Sequence, residues 1–341
     1  MGWLRALMLI AAATVAVSAS TVEGDGGADT LHVPASDRRA PAQTYLTFPE
    51  WFLVFSPAEY ADLLGHRSPD AFPWFAHVGQ FWSAYGRVIE ATRREPFDSE
   101  YHTMIVVIGT STTVEYGLRG TYETLIGRLT ALTVPPNATP EDRLAAREAQ
   151  DYVEFIRVRP WYEFDFAARL KVLWARTPFT GPHLLRKWER RYLLTSEWGA
   201  KALYGWLIGK ATHAAYETPK STTLAVVSGL PGELVVPGLR RVQTHGEETL
   251  IELPRYQGFT TAATALARHG VQFVEIAGNR GAILVSRIVP TTIPASGKGR
   301  VLIRQPIVTR PGWQRQALDV PVADLSAVLV GSEEVEHVFD Y

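Results

Sequence analysis

Apolar residues in the first two thirds of the chain recur at intervals of three and four, the spacing of one face of an α-helix. The stretch from Phe72 to Arg94 shows this best, with one apolar face made of Trp74, Val78, Phe81, Tyr85 and Val88. The same spacing predicts further helices over residues 100–132, 141–158, 162–175 and 182–217. We therefore expect an aromatic-rich helical domain over residues 45–217.

Local signals place some of the helix ends and contacts. Thr139 is a suitable N-cap for the helix from residue 141, and Pro160 is suited to ending it. The segment 100–132 reads as one long helix or as a short strand followed by a helix. Small residues lie four apart at Gly109, Thr113 and Gly117, a stripe that lets another helix approach closely.

After Ser221 the periodicity shortens and β-branched residues become frequent, which is typical of strands. Strands are predicted over 222–227, 249–253, 271–276, 282–289, 301–308 and 335–339, with short helices over 260–269 and 322–329. The fold class is therefore α+β with two domains: the helical domain, then a small antiparallel α+β domain, ferredoxin-like in its order of elements, over 247–341. Residues 218–246 form a linker with a short strand. No internal repeat is evident.

The N-terminus has the pattern of a secretory signal peptide over residues 1–19. Arg5 precedes the uncharged apolar run from Ala6 to Val17, and Val17 and Ala19 are the small residues of a cleavage site. The run is shorter than the roughly 20 residues that span a bilayer, so cleavage is favoured over a retained anchor. Residues 20–44 form a polar, disordered segment. We expect an exported protein of the bacterial periplasm or cell envelope.

Composition excludes several kinds of site. The 341 residues contain no cysteine, so a disulfide, a thiolate metal site, a cysteine nucleophile and a lipoprotein anchor are all excluded. The net charge of −1 provides no overall attraction to nucleic acid, and export makes a nucleic-acid partner still less suitable. The sequence indicates no cofactor.

Positive charge and aromatic residues are concentrated between Arg157 and Lys210. This segment has eleven Lys or Arg and four acids, a local charge of +7. Tryptophan and tyrosine interleaved with basic residues are typical of a membrane surface. The segment predicts a face for a membrane or an anionic ligand, formed by Trp188, Arg190, Arg191, Trp198 and Trp206. The alternative is an aromatic core with a solvated basic exterior.

The sequence Gly109-Thr-Ser111-Thr-Thr113 partly matches the nucleophile elbow of hydrolases, in which a strand, a turn carrying serine and a helix follow one another. The last glycine of that motif is replaced by Thr113, which would crowd the turn. The alternative is a continuous helix whose serine and threonine hydroxyls bond to backbone carbonyls. Ser111 is a candidate nucleophile only in the first case.

Glu115 lies in an otherwise apolar stretch and has two interpretations. Arg119 follows at the i,i+4 spacing of an intrahelical ion pair. If the helix is central, a buried Glu115 near His77 or His102 is instead a candidate acid or base. The Glu-x-x-His spacing of helical di-metal sites is absent from this region, so no metal site is expected.

Three hypotheses of function follow. The first is an exported envelope protein with a non-catalytic or binding role, attached to a membrane surface or an anionic partner by its basic aromatic helices. The second is an exported hydrolase with a pocket in the helical domain, using Ser111 or Glu115 with a histidine. The third is a sensor that binds a small ligand in the C-terminal domain. The sequence identifies no protein partner.

Overall fold

The computed structural model describes residues 30–215, 220–293, 298–331 and 335–340. The predicted signal peptide and residues 20–29 of the predicted polar segment lie outside the described residues, whereas residues 30–44 are described. Within the described ranges the protein is mixed α+β, with helices first and two four-stranded antiparallel sheets after them. The predicted fold class is therefore confirmed.

The helical region follows the predicted periodicity closely. Its helices are α1 (Gln43–Leu64), α2 (Trp74–Ala91), α3 (Ser99–Tyr122), α4 (Arg128–Ala131), α5 (Pro140–Ile156), α6 (Phe166–Arg176) and α7 (Leu184–Ala215). The Thr139 hydroxyl accepts a hydrogen bond from the Asp142 amide at 3.1 Å, which confirms the predicted N-cap of α5. One turn of π-helix, Glu123–Gly127, joins α3 to α4, so the helix runs on without a break.

The strands form two sheets. They are β1 (Thr222–Ser228), β2 (Arg240–His245), β3 (Glu248–Pro254), β4 (Gln272–Ile276), β5 (Ala282–Pro290), β6 (Arg300–Pro306), β7 (Trp313–Pro321) and β8 (Val335–Val338). The order is β2-β3-β1-β4 in the first sheet and β6-β7-β5-β8 in the second. Helices α8 (Gln257–Arg268) and α9 (Leu325–Gly331) precede β4 and β8. Two strands, β2 and β7, were not predicted, and the segment 218–246 contributes both β1 and β2 to the first sheet.

The two sheets repeat one topology, three strands, a helix and a strand. Their irregularities repeat as well: β1 is bulged against β4 between Val226 and Val227, and β5 against β8 between Ser286 and Arg287. Matching bulges also occur where β2 pairs with β3 and where β6 pairs with β7. The structure thus contains an internal repeat that the sequence pattern did not reveal.

Both sheets share one apolar core, and their other faces are covered differently. The core joins residues of both sheets, such as Val227 and Val285, to α8 and α9. Leu31 and Val33 cover the other face of the first sheet. The other face of the second sheet packs against α1, where Phe48 contacts Phe339 with ring centroids 5.8 Å apart. Helix α1 is therefore fixed to the second sheet, and the remaining helices build outward from it.

Candidate functional site

The interior of the helical region contains a network of charged side chains. Six acids and six bases from α3, the π turn, α5 and α7 pair with one another, and we call them the ion-pair network. Its members are Glu115, Arg119, Glu123, Glu141, Asp142, Arg186, Lys187, Glu189, Arg190, Arg191, Glu197 and Lys201. Acids and bases are equal in number, so the network as a whole is neutral.

Glu123 is the centre of the network. Arg190 donates to both of its carboxylate oxygens at 2.9 Å, and the Arg119 Nε donates at 3.1 Å. The Glu123 side chain has no solvent exposure, and desolvation alone would raise the pKa of its carboxyl. The charge of Arg190, followed by that of Arg119, outweighs desolvation and lowers this pKa below its usual value. Glu123 is therefore a buried carboxylate that carries its charge.

The π turn and Gly127 make room for this carboxylate. A Cβ atom on Gly127 would lie 2.1 Å from the Glu123 Oε2, so only glycine fits without moving a group that Arg190 holds. Single turns of π-helix inside α-helices occur frequently at functional sites. Here the turn carries Glu123, the carboxylate on which Arg119 and Arg190 converge.

A cavity lies at the other end of the network, between α1, α3, α5 and α7. The Lys201 ammonium joins two carboxylates there, with its Nζ 2.9 Å from the Glu115 Oε1 and 3.0 Å from the Glu197 Oε1. Desolvation raises the pKa of Glu115, but the charge and hydrogen bond of Lys201 outweigh it and hold this pKa below its usual value. Half of the Glu115 side chain is exposed, so the pair lies where the cavity meets solvent.

The cavity has aromatic walls and a volume of about 120 Å³. Aromatic side chains of six helices and of the segment before α6 form these walls: Phe52, Tyr60, Trp74, Tyr116, Tyr152, Phe164, Phe166 and Trp198. A second pair, Arg169 and Glu148, lines the cavity with Nη1 and Oε2 3.0 Å apart. Burial raises the pKa of Glu148 even though the charge of Arg169 opposes this change. The cavity can thus hold a small ligand against rings and charged groups of both signs.

Outside the network the helix surfaces are apolar. Between Thr103 and Ile126 the exposed side chains include one charged residue, Glu115, and between Leu184 and Leu207 they include none. Large exposed apolar residues form this outer surface, which we call the apolar face: Val107, Val114, Leu118, Leu125, Leu129 and Leu132 on α3 to α4, and Leu185, Trp188, Tyr192, Leu203, Trp206 and Leu207 on α7. The rings of Tyr122 and Tyr192, 6.4 Å apart, join the two halves.

The predicted surface residues separate into two groups. Trp188 and Trp206 are exposed and belong to the apolar face. Arg190, Arg191 and Trp198 lie in the interior instead of on the predicted surface. Arg190 pairs with Glu123, whereas Trp198 lines the cavity.

Arg191 is buried by a different set of contacts. It pairs with Glu141 at 2.7 Å and lies against the rings of Trp174, Phe179 and Trp188, between 4.6 and 5.3 Å from their centroids. Most charged side chains of α7 thus point inward, whereas the aromatic residues Trp188, Tyr192 and Trp206 are exposed.

The nucleophile elbow is not formed. Residues 104–113 belong to one helix, and the Thr113 hydroxyl donates to the Gly109 carbonyl at 2.7 Å, as the alternative interpretation expected. Ser111 lies on the exposed side of that helix. The predicted close approach at Gly109 is confirmed, because a Cβ there would lie 2.3 Å from the Phe81 ring.

Glu115, His77 and His102 do not converge. Glu115 pairs with Lys201 instead of the predicted Arg119, which binds Glu123 and Glu197. His102 accepts or donates a hydrogen bond with the Tyr85 hydroxyl at 2.9 Å, away from the residues that line the cavity. Glu115 lines the cavity, and of the two histidines only His77 is linked to it.

His77 reaches the cavity wall through one serine. Its Nδ1 lies 2.8 Å from the Ser56 hydroxyl, which lies 2.8 Å from the hydroxyl of the cavity residue Tyr116. Burial, helped by the nearby charge of Arg315, lowers the pKa of His77 to about 3. Its Nε2 lies 3.5 Å from the Glu59 Oε2, and with the lowered pKa the imidazole is neutral at ordinary pH.

Sequence reasoning missed the residues that complete the cavity: Arg119 as a partner of Glu197, and Glu148, Tyr152, Arg169 and Lys201. One signal was present, since Glu197 and Lys201 lie four apart on α7, on the side opposite Trp188 and Leu203. A charged stripe opposite an apolar stripe does not reveal which of the two faces inward.

The chain matches no protein-family model, and comparisons with curated proteins and with solved structures gave no significant match. In the described ranges no group of three or more histidine, aspartate or glutamate side chains is arranged to hold a metal ion. Across the same ranges, no helix is both long enough and apolar enough to cross a membrane.

Proposed function

We propose that this protein is an envelope protein with a binding role that rests on a lipid surface through its apolar face. The observation that carries the proposal is the outer surface of α3 and α7, where many large apolar side chains are exposed while most of the paired charges lie inside. Water-soluble helices bury the apolar stripe and expose the charged one. A surface with the opposite arrangement is suited to an apolar environment on its outer side.

The residue types of the apolar face favour lipid. Tryptophan and tyrosine settle at the boundary between acyl chains and headgroups, and Trp188, Tyr192 and Trp206 occupy α7 beside leucines. The ammonium of Lys210, which is exposed, lies 4.7 Å from the centroid of the Trp206 ring. A lysine at the end of such a face can keep its charge in the headgroup layer while its stem stays apolar.

The structure changes the expected mode of attachment. Four of the eleven basic residues between Arg157 and Lys210 are buried in ion pairs: Arg186, Lys187, Arg190 and Arg191. Cations that already hold a buried carboxylate are not available to anionic lipid. We therefore expect attachment by apolar contact, with little dependence on lipid charge or salt.

Vesicle co-sedimentation tests the proposal. The protein should bind phosphatidylcholine vesicles with and without phosphatidylglycerol to a similar extent, at about 0.05 M and about 0.5 M salt alike. Replacing Leu118 and Leu203 together by glutamate should weaken binding tenfold or more, since each buried leucine contributes about 1.5–3 kcal/mol. Val235→Glu, at an exposed valine in the β region, is the matched control and should bind normally.

Two results would oppose the proposal. Absence of vesicle binding at either salt concentration would show that the apolar face does not meet lipid. Binding that requires phosphatidylglycerol and disappears at high salt would assign attachment to exposed cations such as Lys171 and Arg176, and the apolar face would have no part in it.

One observation favours the hydrolase as a second candidate. Glu115 and Glu148 line the same cavity, and their surroundings move their pKa values in opposite directions. Two carboxyls separated in this way are typical of acid–base catalysis. A hydrolase would lose activity in both Glu148→Gln and Glu115→Gln, whereas a binding protein would hydrolyse no ester, amide or glycoside in a substrate panel. The sensor hypothesis for the C-terminal region stays a prediction.

A further inference from the structure

The cavity is matched to a ligand without net charge. Its charged lining consists of three acids and three bases, which are Glu115, Glu148, Glu197, Arg119, Arg169 and Lys201. A ligand with a single net charge would leave one unit uncompensated in a partly desolvated place, which is costly. A zwitterion brings both signs and leaves the balance unchanged.

Both an acidic and a basic side chain at the cavity have hydrogen-bonding capacity that is not used within the part of the chain that the structure describes. Among the described residues, no hydrogen bond involves the Glu115 Oε2 or the Tyr152 hydroxyl, since Lys201 pairs with the Glu115 Oε1. The Lys201 ammonium has three hydrogens, and its contacts with Glu115 and Glu197 account for two. The open groups are thus one anionic acceptor, one cationic donor and one neutral donor, which fit an ammonium group and an oxyanion of the same ligand.

Size limits the ligand to a short molecule or to the end of a longer one. A volume of about 120 Å³ is somewhat below that of the engineered apolar cavity that binds benzene. The rings of Tyr152 and Phe166 each lie 5.7 Å from the Lys201 Nζ, so this part of the wall already accommodates an ammonium group. A primary ammonium of ligand can donate to a carboxylate there, which a quaternary ammonium cannot.

The position of the open groups connects the cavity with the apolar face. Glu115 lies on α3 between Val114, 57% exposed, and Leu118, 71% exposed, while Lys201 lies on α7 two residues before the exposed Leu203. The opening of the cavity, where Glu115 and Lys201 meet solvent, is therefore bordered by apolar side chains. We call this opening the mouth of the cavity. A lipid whose acyl chains meet those side chains can place its headgroup at the mouth.

We propose that this cavity binds a phosphoethanolamine group as its zwitterionic diester, with Glu115 accepting from the ammonium and Lys201 and Tyr152 donating to the phosphate. The same chemistry occurs in a phosphatidylethanolamine headgroup and in free glycerophosphoethanolamine. Because of the mouth's position we favour the lipid as the source, and that choice of source rests on the proposed function.

Calorimetric titration of the full chain with glycerophosphoethanolamine tests the site itself. We expect saturable binding that Glu115→Gln and Tyr152→Phe each weaken about tenfold, in line with the loss of one hydrogen bond to a charged group. Glu100→Gln changes an exposed acid at the start of the same helix and is the matched control. Glycerophosphoglycerol, which carries a net negative charge, should bind at least tenfold more weakly. No binding, or equal binding by all variants, would overturn the inference.

A second experiment, vesicle binding with and without phosphatidylethanolamine, distinguishes failure of this inference from failure of the proposed function. If phosphatidylethanolamine is the ligand, adding it to phosphatidylcholine vesicles should strengthen binding several-fold in the native protein and leave Glu115→Gln unchanged. Titration with the free diester but no vesicle binding would support the site with a soluble ligand and contradict the proposed function. Vesicle binding that ignores phosphatidylethanolamine, together with no titration, would support the proposed function and overturn the inference.

Discussion

The β region and the helical region arrange their side chains in opposite ways. One continuous cluster of buried apolar side chains joins the two sheets with α8 and α9, as expected for a protein surrounded by water. Between α3, α5 and α7 the interior combines buried aromatic and leucine side chains with a neutral network of twelve charged residues, and many large apolar side chains face outward. One chain thus contains both patterns. We infer that the two regions have different surroundings.

The comparison also shows what each kind of interior requires. An apolar core tolerates exchange of one hydrophobic side chain for another of similar volume. A buried ion pair does not, because removal of one partner leaves the other charged and desolvated. The helical region is consequently the more sensitive to single changes of charge.

The largest expected effect is on stability, from Arg190→Met. This change leaves Glu123 and Glu189 without their shared partner, and we expect unfolding free energy to fall by about 3–5 kcal/mol. Chemical denaturation measures it. Arg176→Met, at an exposed arginine of α6, should change stability by less than about 0.5 kcal/mol. Equal small losses in both variants would mean that the network does not hold the helices together.

A smaller effect concerns pH and His77. The pKa of His77 is about 3 in the folded protein, below its ordinary value of 6.5, so the unfolded chain binds more protons between these values. Stability should therefore fall as pH falls from about 6.5 towards 3. Protonation of His77 in the unfolded chain should lower the free energy of unfolding by about 2 kcal/mol between pH 6 and pH 4.

His77→Gln should remove this part of the pH dependence of stability, since glutamine keeps hydrogen-bonding groups and does not titrate. The control is the native protein followed over the same pH range, where His337, another buried histidine with a lowered pKa, contributes in both proteins. Parallel stability curves for variant and native protein would contradict a neutral, buried His77.

The smallest expected effect compares two glycines of the long helix. Gly117 has open space where a Cβ would lie, so Gly117→Ala should raise stability by up to about 1 kcal/mol through helix propensity. Gly127→Ala should lower it by about 1–2 kcal/mol instead, because the new methyl group meets the Glu123 carboxylate that Arg190 holds. Stabilisation in both variants would show that Glu123 moves easily.

Periodicity predicted most of the fold, including α2 to α7 and six of the strands, although no separate helix was predicted where α1 lies. It missed β2 because this strand is mostly polar and exposed and lacks an alternation of apolar and polar residues. It missed β7 because Gln314, Arg315 and Gln316 are polar and yet all buried. The repeat of the two sheets was missed because it lies in pairing order and in bulge positions, and the pairing of distant strands is not visible in a periodic pattern.

The candidate site was less predictable. The stripe of charges on α7 and the stripe of aromatic residues were both evident, but solvent exposure was assigned to the charged side by the ordinary rule for soluble helices. Arg190 and Arg191 were consequently expected on a surface. Glu115 was correctly singled out, yet its partner Lys201 lies 86 positions away in the chain, and no local spacing can reveal that pair.

The central claim is that the apolar face of α3 and α7 meets lipid, and site-specific fluorescence tests it most directly. Because the chain has no cysteine, Leu118→Cys, Leu203→Cys and Val235→Cys can each carry one environment-sensitive fluorophore. On addition of phosphatidylcholine vesicles, emission should shift to the blue and brighten at positions 118 and 203 and stay unchanged at 235. Unchanged emission at all three positions, or an equal shift at 235, would contradict the account.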